Sequence, residues 1–134
     1  MKIISALGTN TSIFFQDEKE RTVSVVRKNE RQRIIDRKNN VYIESITTGI
    51  SNSNLKAIIA YPPPGTINIP EGYQHRGEEL IYVIKGSIKI TVGCNSYILH
   101  EGDSIHFRGE LRHTIQNISN SEAELLSVIS PPNY

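Results

Sequence analysis

The sequence predicts an all-β domain, an antiparallel sandwich or barrel entered through a short helical segment. Three observations carry that prediction. From residue 21 onward at least eight short runs rich in Ile, Val, Tyr and Phe follow one another, parted by Gly, Pro, Asn and Ser turn signals every several residues. The triplet Pro62–Pro63–Pro64 before Gly65 stops a strand outright, because proline brings no N–H to a sheet ladder. A chain of 134 residues fits one domain with one core.

Taken in order, residues 1–20, "MKIISALGTNTSIFFQDEKE", differ from all that follows. Ile3, Ile4 and Leu7 recur at helical spacing, Gly8 can end that helix, and Asn10 or Thr11 can cap a second short turn. We therefore divide the chain into a helical segment or linker, 1–20, and a β domain, 21–134. In the β domain "RTVSVVRK" alternates around Val23 and Val25, and "VYIESITTG" and "NLKAIIAYPPPG" are further strand-like runs. "TINIPEGYQH" alternates Ile67 and Ile69 before a turn. The pattern is clearest in "ELIYVIKG" and "SIKITVG", joined at Gly86–Ser87, with "GCNS" as a hairpin turn. "YILHEGD", "SIHF", "HTIQNIS" and "AELLSVISPP" complete the set.

Fifteen Lys and Arg stand against fourteen Asp and Glu, a formal charge of +1, so no electrostatic excess draws the chain to nucleic acid or anionic lipid. The basic run "RKNERQRIIDRKNN" contains Glu30 and Asp36 and no aromatic residue, which reads as a solvated strand rather than a phosphate-binding patch. The single cysteine, Cys94, excludes an intrachain disulfide framework and is placed as an exposed spectator in a turn. With no apolar stretch near the roughly 20 residues of a membrane span, and no convincing signal peptide, a cytoplasmic location is expected.

The chemistry gathers in "HRGEELIYVIKGSIKI". If Glu79 opens a strand, Glu79, Ile81 and Val83 share one side, and Leu80, Tyr82 and Ile84 the other. A carboxylate in register with an apolar inner face needs a metal, a cation, a proton or water. His75 is the nearest partner, and His113 follows in "EGDSIHFRGELRHTIQN". Alternation turns His106, Arg76 and Arg112 away from the inner face and leaves His100 exposed at a turn.

These two segments resemble the paired motifs of the cupin superfamily. The first motif runs from a glycine through His-x-His to a glutamate and a closing glycine; the second ends in His, three residues, Asn. Here His75, Glu79 and Gly86 fall on the first, and Gly102, His113 and Asn117 on the second. Tyr73 stands at the first histidine, Arg108 where proline is usual and Glu110 where glycine is usual. The resemblance implies an antiparallel double-stranded β-helix, the jelly-roll cupin barrel. It also implies a divalent metal held by His75, Glu79 and His113, with Fe, Mn, Zn or Ni as candidates. The phenol of Tyr73, a poor replacement for imidazole, keeps a metal-free polar pocket open as the other reading.

Over nearly the whole chain, "VVRKNERQRI", "YPPPG", "GEELIYVIKGSIKITVG", "EGDSIHF" and "SPPNY" are similar to the C-terminal sensor domain of bacterial regulators that join an XRE-type helix-turn-helix to a cupin. The resemblance implies a module that binds a small polar effector through Tyr73, His75, Glu79 and His113, enclosed by Ile81, Val83, Ile105, Phe107 and Ile115. It implies a homodimer, in keeping with outward Leu80, Tyr82 and Ile84. DNA contact would come only through a helix-turn-helix domain absent from this chain, which is then a fragment or a gene product reduced to its sensor. A stand-alone small cupin that begins with a helix is the other possibility. No catalytic residue is assigned; the second functional reading is a metal-dependent dioxygenase or isomerase acting on a small polar substrate.

Overall fold

The computed structural model describes residues 20–37, 40–67 and 72–132. Among them a three-residue 3-10 turn, Lys28–Glu30, precedes nine strands. These are β1 (Arg33–Asp36), β2 (Val41–Ser45), β3 (Lys56–Tyr61), β4 (Glu78–Lys85), β5 (Ile88–Val92), β6 (Asn95–Leu99), β7 (Ser104–Arg108), β8 (His113–Asn117) and β9 (Glu124–Ser130). Six of them form one antiparallel sheet in the order β1-β2-β3-β9-β4-β7, and β6-β5-β8 form a second. The architecture is the all-β jelly roll that the sequence predicts.

The core follows from alternation. In β4, Glu79, Ile81 and Val83 are buried while Tyr82 and Ile84 are each 40% exposed, so every second side chain turns inward. Ile88, Ile90 and Val92 do the same in β5. Together with Ile81, Val83 and Leu125 they form one apolar cluster, with Ile105, Phe107 and Ile115 packed against it. Each fully buried Ile or Val contributes about 1.5–3 kcal/mol relative to exposure. Gly77 ties the start of β4 to the end of β9: its φ is +88°, and an added Cβ would run into the Ser130 carbonyl.

Three expectations are revised or fall outside view. "RTVSVVRK" joins no sheet, its last residue entering the 3-10 turn, and Val23 and Val25 are 77% and 64% exposed. Its alternation has no neighbouring strand to pair with; it is held instead by Arg21 against Ser51 and by the Ser24 hydroxyl on the Thr48 carbonyl. Ile67 makes an isolated bridge to Gln116, not a strand, and residues 68–71, Ile69 included, lie outside the described residues. The helical segment expected over 1–20 also lies outside them, save for exposed Glu20.

Two arginines of the basic run form internal pairs. Arg31 Nε lies 3.4 Å from Glu44, and Arg33 bonds Glu122 at 2.7 Å while its guanidinium lies 4.1 Å from the centre of the Tyr61 ring. No helix among the described residues is long and apolar enough to cross a membrane.

Candidate functional site

Both sheets contribute to one buried cluster. Glu79 is the second residue of β4 in the large sheet, and His113 opens β8 in the small one. Tyr73 and His113 exchange both backbone hydrogen bonds, at 2.8 and 3.0 Å, which carries the segment before β4 onto the edge of β8. His75 then enters beneath, its N–H bonded to the Gly109 carbonyl at 2.9 Å.

His75 Nε2 lies 2.9 Å from Glu79 Oε1, and His113 Nε2 lies 3.4 Å from the same oxygen. The Ser127 hydroxyl donates to Glu79 Oε2 at 2.8 Å. All three motif side chains are buried, His75 and Glu79 to 6% and His113 to 2% residual exposure. Each histidine turns Nδ1 to a backbone carbonyl: His75 to Arg76 at 2.9 Å, His113 to Leu111 at 2.7 Å. A carbonyl only accepts, so both Nδ1 atoms carry hydrogen, and each ring turns Nε2, the nitrogen left to take a proton or a metal, toward the carboxylate. Phe107 packs against the His113 ring at 4.7 Å between centroids and fixes its tilt.

Burial alone would push the Glu79 carboxyl up, but His113, His75 and Ser127 outweigh it and hold it at about 2. The hydrogen bond to Glu79 raises His75 against the opposing effect of burial. Tyr73, its ring 5.7 and 5.5 Å from the two imidazoles, is pushed up by burial, then by Glu79 and Asp36, and remains a neutral phenol. The cluster thus holds a carboxylate facing two imidazole nitrogens. Apart from its long 3.4 Å contact to Glu79, the buried His113 Nε2 has no hydrogen-bond partner.

That orphaned nitrogen tests whether a divalent metal fits. The three ligand atoms lie within 4.8 Å of one another. Ligands about 2.0–2.1 Å from one ion are about 2.9 Å apart at a right angle and about 3.4 Å apart at a tetrahedral angle. The two separations from Glu79, 2.9 and 3.4 Å, fall on these values, and two imidazoles with one carboxylate suit a first-row divalent ion. The residues fit the metal.

The cluster forms the floor of a cavity of ≈ 160 Å³. Glu79, His113 and Tyr73 reach it, while Ile81, Ile115 and strands β2, β3 and β9 supply its walls. His75 stands behind Glu79 with its side chain 1% exposed. Val83 is wholly buried in the apolar core, and Phe107 packs beside that core and against His113. The remaining candidates are peripheral: His106 is exposed and bonded to Glu78, His100 to Ser87, and Arg112 to Gln74, while Arg76 and Cys94 are exposed.

Sequence reasoning passed over Ser127, Ile58, Ile129, Asp36 and Lys56, which also line the cavity. Ser127 carried a signal: in "ELLSVIS" it interrupts the inward row Leu125, Ser127, Ile129 with a hydroxyl. Asn117 has a structural task. Fully buried, it donates to the Pro62 and Ser121 carbonyls at 2.8 and 2.9 Å and accepts from the Ser119 N–H and hydroxyl at 2.8 and 2.5 Å.

The family described as "Cupin domain" matches residues 59–129, more than half of the chain. The HTH-type transcriptional regulator PuuR of Escherichia coli is 26% identical over 133 residues, covering 99% of this chain and 71% of the regulator. Among solved structures, the Cupin_2 domain of an XRE family transcriptional regulator from Enterobacter cloacae superposes with a TM-score of 0.62 at 17% identity, covering 69% of this chain and 98% of that one. HppE in its Fe(II) form superposes with a TM-score of 0.65 at 17% identity, over 80% of this chain and 60% of HppE. With its jelly-roll fold, its two-histidine, one-glutamate cluster and this family match, the chain belongs to the cupin domain family.

Proposed function

We propose that this cupin is the effector-sensing domain of a bacterial transcriptional regulator, and that His75, Glu79 and His113 hold a divalent metal at the floor of its cavity. The observation that carries this reading is the buried cluster opening into an aliphatic cavity, in a chain of which 99% aligns with 71% of a helix-turn-helix regulator. The ion supplies a positive centre on which a small molecule's polar group can dock. Glu79 offsets part of its charge, Ser127 orients Glu79, and the neutral Tyr73 hydroxyl stands ready to bond a ligand oxygen or nitrogen. Because the walls are largely aliphatic, the effector has an apolar body as well as a polar head.

Glu79 and Ser127 belong to the large sheet and His113 to the small one, so an occupant touches both. Such a ligand shifts a regulator only by the difference in its affinity for the two states of the assembly, here a homodimer whose DNA contact resides in a helix-turn-helix domain. The test pairs elemental analysis of protein prepared without chelator or metal-affinity tag with thermal-shift screening of small amphipathic molecules. About one equivalent of metal and a saturable rise in Tm support the reading; neither appearing sinks it. A second reading, a metal-dependent dioxygenase or isomerase, is favoured by the ligand set itself, and turnover in an oxygen-consumption or isomerisation screen would establish it instead.

A further inference from the structure

The residue that sets the position of His75 carries no side chain. Gly109, in the turn after β7, is buried, and its backbone φ is not in the left-handed region. A left-handed backbone therefore does not call for glycine there, and the need for it comes from what lies against it. A Cβ at Gly109 would come closer than 3 Å to three atoms, and all three belong to His75: Cε1 and Nδ1 of the ring and the carbonyl oxygen. The same glycine accepts the His75 N–H at 2.9 Å and donates its own N–H to the Gly77 carbonyl at 2.8 Å, so the two segments cannot easily part to relieve the crowding. The ring is meanwhile tied at both nitrogens, to Arg76 and to Glu79.

We propose that Gly109 is a positioning residue for the cluster: its bare Cα is the seat on which the His75 imidazole rests, and any side chain there drives the ring off Glu79. The inference rests on the metal reading of the site for its consequence, though not for the steric claim. It also assigns a role to the turn around Glu110, where the family's usual glycine is missing: Gly109, one place earlier, supplies the clearance.

The test is a cycle of Gly109→Ala, His75→Ala and the double variant, measured in two ways. With Co(II) as the probe, Gly109→Ala is expected to bind about 10–100-fold more weakly than wild type. Its visible absorption should change as it does in His75→Ala, the signature of a lost imidazole that mere loosening of the turn would not produce. In metal-free protein, the fall in Tm caused by Gly109→Ala is expected to shrink in the His75→Ala background, where the ring atoms are gone. Wild-type Co(II) affinity and spectrum in Gly109→Ala overturn the proposal. So does an equal loss of Tm, or equal failure to fold, in both backgrounds. If wild-type protein binds no Co(II), the metal reading fails by itself, and the metal-free cycle still decides the role of Gly109.

Discussion

His113 Nε2 and Glu79 Oε1 face each other at 3.4 Å across the seam between the two sheets, too far apart for a good hydrogen bond and well placed for a shared cation. Replacing His113 by Ala should therefore abolish metal retention. Elemental analysis should find about one equivalent in wild type and a trace in the variant. The loss should exceed the about 10–100-fold that removal of an outer-shell partner costs.

The metal-free protein should lose stability at both ends of the pH range. Glu79 is held at about 2 against an ordinary value of 4.5, so its contribution is complete above 4.5 and is lost as pH falls toward 2. His75 is raised, so its contribution is complete below its ordinary value of 6.5 and disappears as pH climbs through the folded value. Denaturant melts should place the optimum between these limits. In the metal-loaded protein, protons compete for the histidines, so affinity should fall steadily on acidification and the alkaline loss of stability should vanish.

Ser127→Ala removes the hydroxyl that donates to Glu79 Oε2 at 2.8 Å. Loss of a hydrogen bond to a charged acceptor predicts about 1.5–3 kcal/mol of destabilisation, read as a shift in denaturant midpoint. Metal affinity should drop about 10-fold, since a freed carboxylate is worse oriented.

Tyr73→His places an imidazole where the cupin motif has its first histidine, on a segment already bridged to His113. Competition titration with a chelator should show tighter metal binding than wild type, while the neutral Tyr73→Phe variant should keep wild-type metal affinity and lose part of any effector response.

Asn117→Ala strips a buried side chain of four hydrogen bonds that hold the segments around Pro62, Ser119 and Ser121 together. We expect a loss on the order of 3 kcal/mol or more in chemical melts. The Co(II) spectrum of the folded fraction should be unchanged, which separates this asparagine from the metal ligands of the same motif.

Much of this arrangement was legible in the sequence, because the period of two in "EELIYVIK" and "SIKIT" is what a half-buried strand imposes. The same alternation put Glu79 in the row of Ile81 and Val83. What stayed hidden is what alternation cannot encode: which strand lies beside which. The cavity walls contributed by Ile58 and Ile129 follow from β9 lying between β3 and β4, a pairing made between segments far apart in the chain. The exposed Val23 and Val25 show the converse, a strand pattern without a neighbouring edge. Gly109 is silent for another reason: a clearance requirement leaves no periodic trace.

The gathering of Glu79, His113 and Ser127 from segments distant in the chain also bears on how the molecule folds. Glu79 and Ser127 meet only when the β4–β9 ladder forms, and His113 joins them only when the small sheet closes over it, so the complete site requires both of these non-local pairings. An ion that binds only this complete geometry leaves the open chain untouched and adds its affinity chiefly to the barrier against opening, so that metal supply would govern the lifetime of the folded barrel more than the speed at which it forms.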